Sequence, residues 1–229
     1  MVELKERQVD RINYNRPTLQ LDGKSYRFST IQLLNLIISG PILAILIYFF
    51  LKLRINYWVY EITAKQVVFI LNFIFNINST VIIDPSHRIY PIIYMPNHPF
   101  NENYAITTNC FAAHIFSILI GIILFIPNSK DNLNKKDFIV RKIEALTIAV
   151  FSIHILNILR IAFLLFFNFN GVSFEFIHSS LFFLSAIIGS WVFFILIKKW
   201  LPELFISIYY AYFLISQKKR TKKVRVQTS

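Results

Sequence analysis

Three residues of this chain have side chains that together can carry out acyl transfer: Cys110, Arg160 and His178. Cys110 is the only cysteine, so it is either an inert small apolar residue or a reactive thiol. A thiolate attacks carbonyl carbon, and a neighbouring cation favours that anionic form. Arginine can also bind a tetrahedral oxyanion, and histidine can take and return a proton. The set predicts a thioester mechanism that uses no metal and no cofactor.

Two further residues are candidates for supporting this site. Asn157 precedes Arg160 by three residues, so on a helix its amide is expected to hold the guanidinium or the thiol. His114 follows Cys110 by four residues and would share a helical face with it. It is either the base in place of His178 or, as we favour, a core histidine bonded to a backbone carbonyl.

The composition is that of an integral membrane protein. Of 229 residues, 55% are hydrophobic, 17% aromatic and 16% charged, and the mean hydropathy is +0.54. At least three runs approach the roughly 20 apolar residues that cross a bilayer as a helix. The net charge is +12, and the basic residues lie in blocks beside these runs. This distribution indicates membrane topology and not a nucleic-acid partner. We therefore predict an all-α, polytopic helical bundle in a lipid bilayer.

About four transmembrane helices are predicted within a catalytic bundle of residues 31–200. They cover residues 31–51, 105–126, 143–167 and 176–197. Proline interrupts the first of these and ends the second, while lysine or arginine closes the first and the last.

The remaining segments are predicted to lie outside the hydrocarbon. Residues 1–30 form a cytoplasmic arm, and residues 57–77 form an interfacial amphipathic helix because polar residues recur along one side. A β-branched, proline-containing stretch after it predicts a short extended excursion in water. Residues 201–229 comprise an amphipathic segment and a disordered, basic cytoplasmic tail.

The distribution of basic residues orients the bundle and brings the reactive residues to one side. The loop 128–142 and the tail carry the strongest basic excess, so both are expected in the cytoplasm. Cys110 then lies about 7 Å and Arg160 about 10 Å below the outer surface, with His178 at it. An arginine in a span costs about 3 kcal/mol, so it either snorkels to the headgroups or serves a function. The nearest carboxylate in sequence is Glu175.

These residues resemble the exosortase and archaeosortase family of membrane transpeptidases. The resemblance rests on one cysteine at the outer start of a span, the string NILRIA at 157–162, and His178 after a short outer loop. It covers about residues 57–197. It implies that Cys110 is the nucleophile, Arg160 an essential partner and His178 the third catalytic residue.

The resemblance also implies the substrates and the location. Family members act on proteins that carry a short C-terminal motif, a membrane helix and a basic tail, and they pass the new carboxyl end to an acceptor at the outer face. We therefore expect a multi-pass protein of a prokaryotic plasma (inner) membrane, with an active site that faces the extracytoplasmic side.

A second class of function uses some of the same side chains. A noncatalytic membrane module, such as a transporter subunit or a metal- or haem-binding protein, would employ Cys110, His114, His154 and His178 within the bundle. His154 lies about 9 Å deeper than Arg160 on the same helix, which separates it from the surface site. His87 and His98 are expected to be solvated residues of the excursion.

Overall fold

The computed structural model describes residues 19–21, 24–83, 90–96, 103–107, 110, 112–129 and 135–227. The protein is mostly helical, at 76%. Its helices are α1 (Thr30–Leu51), α2 (Tyr57–Phe73), α3 (Ala113–Phe125), α4 (Lys135–Phe169), α5 (Phe174–Trp200) and α6 (Glu203–Gln227). Its strands are β1 (Leu19–Leu21), β2 (Lys24–Tyr26), β3 (Thr80–Ile82), β4 (Ile92–Tyr94) and β5 (Asn103–Ala105). His87 and His98 lie outside the described residues.

Three helices are long and apolar enough to cross a membrane by length and composition. They are α1, the part Asp137–Phe169 of α4, and α5. Large apolar side chains stand exposed on them, among them Ile37 at 64%, Phe183 at 69% and Trp191 at 64%. So much exposed apolar surface is compatible with a membrane protein, in which lipid contacts these faces. The mostly helical architecture agrees with the helical content of the predicted fold class, although the described part also contains five short strands.

The predicted span 105–126 is wrong at its beginning. Residues Asn103–Ala105 form strand β5, Cys110 lies in a turn, and α3 begins only at Ala113. The physical reason is that this stretch pairs with β4, which satisfies the backbone groups of alternate residues without a helix. With 13 residues, α3 is about 20 Å long, which is shorter than a hydrocarbon core of about 30 Å.

A close antiparallel contact joins α1 to α3. Gly40 and Gly121 face each other so closely that a Cβ atom built on Gly121 would lie 2.5 Å from the carbonyl oxygen of Gly40. At the beginning of α1, Ser29 caps the helix and Gln32 Nε2 donates to the carbonyl of Asn128, 3.3 Å away, just beyond α3. The paired glycines thus let the two backbones approach as neighbouring helices in membranes do.

Helix α2 packs at the end of the bundle that contains Cys110, here called the site end. Its buried apolar residues, such as Ala64 and Val67, belong to the core cluster that Cys110 also contacts. The hydroxyl of Tyr60 donates to the carbonyl of Leu51 at 2.8 Å, which fixes α2 against the end of α1. No buried residue of α2 belongs to the cluster at the opposite end of the described bundle. A helix is thus present where residues 57–77 predict one, and it ends at Phe73.

The predicted extended excursion contains a three-stranded antiparallel sheet in the order β3-β4-β5. The register pairs Ile92 with Ala105 and Tyr94 with Asn103. Ile93 and Met95 are buried beneath the sheet and pack in the cluster at the site end. The sheet is therefore part of the core at the site end.

The opposite end is closed by α6 and the β1–β2 hairpin. Arg141 of α4 donates to the buried carboxylate of Glu203 at 2.7 Å and to the carbonyl of Trp200 at 2.9 Å. The rings of Phe28 and Tyr210 pack edge to face. The predicted disordered tail is wrong in part, because α6 continues to Gln227. No proline or glycine interrupts residues 203–227, and lysine, arginine and glutamine are good helix formers.

We expect Gly121→Ala to lower the free energy of unfolding by about 1–3 kcal/mol, because the new methyl group forces α1 and α3 apart. The matched control is Gly189→Ala on α5, where a Cβ atom meets nothing within 4 Å. That change should be neutral or stabilise by up to about 1 kcal/mol. Denaturation of the purified protein in detergent measures both, and equal effects would contradict the close contact.

Candidate active site

A cavity of about 190 Å³ at the site end is lined by Cys110, Arg160 and His178. One wall is β5 with the residue that follows it, Ile106, and the other is formed by α4 and α5. Most of the remaining lining is apolar, as at Leu164. The structure thus brings the three predicted catalytic residues into one cavity.

Cys110 lies in the turn between β5 and α3, and its side chain is half-buried. The sulfur is 3.6 Å from Oγ1 of Thr107 and 3.8 Å from the carbonyl oxygen of Ala105. Ala112, the N-cap of α3, adopts a left-handed conformation with φ 57°. Such a backbone costs a non-glycine residue about 1 kcal/mol or more, and it turns the chain sharply between Cys110 and the helix. Because α3 begins after this turn, the expected helical relation between Cys110 and His114 does not exist.

Arg160 projects from α4 into the space between two cavities. It is half-buried, and its positive charge interacts with Cys110. Its guanidinium carbon lies 5.9 Å from the centre of the Phe182 ring, a cation–π contact with α5. Among the residues that the structure describes, no carboxylate forms an ion pair with Arg160, and Glu175 is not its partner. A permanent cation therefore shares the cavity with the sulfur, and no described carboxylate neutralises it.

His178 lies in the first turns of α5 and is exposed to the cavity opening. Its ring stacks on Phe174 with centres 5.7 Å apart, and Phe174 stacks in turn on Tyr104 at 5.7 Å. The hydroxyl of Tyr104 donates to the buried amide oxygen of Asn168, whose Nδ2 donates to the carbonyl of Val172 at 3.2 Å. This chain of contacts fixes the imidazole relative to β5.

Sequence reasoning missed Tyr104, Phe174 and Asn168 as residues that position the site. Phe174 is the one with a local signal, since it precedes His178 by four residues and shares its helical face. The bond from Tyr104 to Asn168 joins residues 64 positions apart, so no local pattern reveals it.

Asn157 supports the site through the backbone of the cysteine. Its side chain is buried at 5% exposure, and its Nδ2 donates to the carbonyl oxygen of Cys110. The sequence predicts that this amide holds the guanidinium or the thiol. The hydrogen bond to the carbonyl instead anchors the Cys110 turn to α4.

His114 does not line the cavity that contains the sulfur. It lines a second cavity of about 380 Å³ between α3, α4 and α5, together with Asn157 and Arg160. Arg160 therefore borders both cavities. This placement favours a structural role for His114 over the role of base.

The other described histidine is tied to α2. Nε2 of His154 and Oε1 of Gln66 are 2.9 Å apart. Within the described ranges, no group of three or more His, Cys, Asp or Glu side chains is arranged to hold a metal ion. Of the four residues of the alternative site, Cys110 and His178 share the first cavity, His114 lines the second, and His154 lines neither.

No family model, curated protein or solved structure matches this chain. The cavity combines a nucleophilic atom, a fixed positive charge and a titratable ring, which are the elements of a covalent acyl transfer.

We expect Asn157→Ala to lower the free energy of unfolding by about 1–3 kcal/mol, because the Cys110 carbonyl loses its donor. The loosened turn should also make Cys110 react several-fold faster with a maleimide, and a single cysteine makes that readout specific. Asn170→Ala is the matched control, since exposed Asn170 lies just after α4 and donates only to the nearby carbonyl of Phe166, at 2.8 Å. Indistinguishable unfolding and labelling of the two variants would contradict the anchoring role.

Proposed function

We propose that this protein is an exosortase-like cysteine transpeptidase or peptidase, which cleaves C-terminal sorting signals of membrane-tethered proteins. The observation that carries the proposal is the shared cavity of Cys110, Arg160 and His178. Each of the three comes from a different segment of the chain, namely a turn, α4 and α5. The grouping of the only thiol with an arginine and a histidine does nothing evident for the stability of the fold. Such a cluster in a cavity points to a functional site.

In the first half of the reaction, the thiolate of Cys110 attacks the carbonyl carbon of the scissile peptide bond. The carbonyl π electrons move to oxygen, and Arg160 stabilises the resulting oxyanion. When the oxyanion collapses, the C–N bond breaks and the amine leaves with a proton from protonated His178. The products are a thioester on Cys110 and the released C-terminal fragment.

In the second half, an acceptor at the outer face attacks the thioester carbonyl. His178, now neutral, takes a proton from the attacking amine or water, and the C–S bond breaks. The carboxyl end is transferred to the acceptor or hydrolysed, and the thiolate returns. The first N–H groups of α3 follow Cys110 closely in sequence. The positive end of a helix stabilises negative charge, such as the oxyanion that forms in each half of the reaction.

A placement in a prokaryotic plasma membrane fits these roles. We propose that α1, α3, α4 and α5 cross the bilayer, while α2 and the three-stranded sheet cover the site end at the outer surface. The end with Arg141, Lys198, Lys199 and α6 then faces the cytoplasm, in agreement with the positive-inside rule. The protein substrate reaches the cavity from the outer leaflet, with its membrane helix in the bilayer and its basic tail inside.

Cells that carry Cys110→Ala or Cys110→Ser in place of the natural protein should accumulate full-length substrates. Both variants should be folded, because the half-buried sulfur makes only weak contacts with Thr107 and Ala105. Mass spectrometry of the C-termini of surface proteins detects the lost cleavage and names substrate and acceptor together. Normal processing in both variants would disprove the proposed function.

Variants of the other two residues should slow the reaction without removing the nucleophile. Arg160→Gln should reduce turnover by about 10²–10³-fold through loss of oxyanion stabilisation, and His178→Ala by about 10²–10⁴-fold through loss of proton transfer. His154→Ala is the matched histidine control, because His154 lines neither cavity. Processing is measured at matched protein levels, and a His178→Ala enzyme as active as the control would assign the base elsewhere.

A further inference from the structure

Strand β5 is an edge strand whose free side opens on the candidate active site. In the sheet order β3-β4-β5, β4 is its only neighbour among the strands that the structure describes. Asn103 and Ala105 are exposed, and both line the cavity that holds Cys110. An open edge of this kind presents backbone N–H and C=O groups to whatever lies beside it.

The register shows which backbone groups face the cavity. Ile106 N–H donates to the carbonyl of Pro91 at 2.9 Å, so the Ile106 backbone points towards β4. In an antiparallel ladder this orientation alternates from one residue to the next. The N–H and C=O groups of Tyr104 therefore also point towards β4, and those of Asn103 and Ala105 point away from it.

The reactive sulfur lies at this same free edge. Cys110 Sγ is 3.8 Å from the carbonyl oxygen of Ala105, which is one of the outward-facing groups. Arg160 and His178 form part of the opposite wall. A chain laid along β5 thus passes between the sheet edge and the two catalytic partners, with a backbone carbonyl within reach of the sulfur.

We propose that the substrate polypeptide binds in extended form as an additional strand on the free edge of β5, hydrogen-bonded to the backbone of Asn103 and Ala105. This inference rests on the proposed function and assigns the substrate-binding subsite. The occupant is an extended peptide because the alternating donors and acceptors of a strand edge complement only another extended backbone. β5 has just two outward-facing residues, so the paired segment is short, about three residues.

The walls of the cavity then determine which side chains the bound segment carries. Leu164 and Leu181 provide an apolar surface on α4 and α5. Side chains of an extended segment alternate in direction, so every second one contacts these helices. A cavity volume of about 190 Å³ suits small or medium-sized side chains at these positions.

The test uses the full-length protein in detergent and peptide reagents that alkylate its single thiol. The parent reagent is acetyl-Ala-Ala-Ala chloromethyl ketone, because backbone pairing needs no particular side chain. Two analogues carry an N-methyl group on the second or on the third alanine, and chloroacetone provides the same reactive group without a peptide. Labelling rates are followed by intact mass.

Strand pairing predicts that the parent labels Cys110 at least tenfold faster than chloroacetone. It also predicts that one N-methyl analogue is about fivefold to tenfold slower than the parent and the other nearly unchanged, since only alternate N–H groups face β5. If the peptide accelerates labelling and both analogues equal the parent, strand pairing is overturned and the proposed function stands. If the peptide gives no acceleration, strand pairing is again overturned, and Cys110-dependent processing in cells decides the function separately.

A variant of the protein gives a second readout. Ala105→Pro removes the outward N–H group, and a proline is accommodated there because this group does not bond to β4. The peptide reagent should label Ala105→Pro about fivefold to tenfold more slowly than Ala105→Val, which keeps the N–H group. Chloroacetone labelling of the same two variants corrects for any change at the sulfur. If the corrected rates of the two variants are equal, pairing at Ala105 is contradicted.

Discussion

Backbone that is not helical must find hydrogen-bond partners wherever it lies inside an apolar bundle, and this constraint shapes the whole site end. The chain around Cys110 meets it in two ways. Before the cysteine, β5 pairs with β4, and at the cysteine itself the buried amide of Asn157 donates to the backbone carbonyl. The left-handed Ala112 then ends the turn and starts α3. The position of the sulfur is a consequence of these bonds, and side-chain contacts of the thiol contribute little to it.

Arg160 poses the complementary problem, because its charge is held beside apolar side chains without an ion-pair partner from the described residues. The Phe182 ring offers partial compensation through its π face, and the two adjoining cavities admit water or substrate. Such a charge is costly in the resting protein. In the proposed reaction it becomes favourable when negative charge develops next to it, and a site prepared in this way loses little to reorganisation. The cost in stability and the benefit in catalysis thus have one origin.

The parts of the fold that local periodicity determines were open to prediction, and the parts that depend on distant pairing were not. Long apolar runs identify α1, α4 and α5, and the three-residue spacing of Asn157 and Arg160 places both on one face of α4. The sequence before α3 predicts a helix, although an apolar run of this length fits a strand equally well. Pairing with β4 decides the outcome, and the hydrogen bond from Tyr104 to Asn168 likewise depends on the completed fold.

The shortness of α3 gives the site its depth in the proposed membrane placement. A helix of about 20 Å leaves roughly 10 Å of hydrocarbon thickness uncovered by α3. The sheet and α2 fill this level, and their packing around Ile93 and Ala64 shields the non-helical chain from lipid. Had α3 continued towards Asn103, its backbone groups would be bonded within the helix and β5 would have no free edge. A short helix thus leaves both a recessed thiol and, beside it, the backbone groups with which we propose that a substrate pairs.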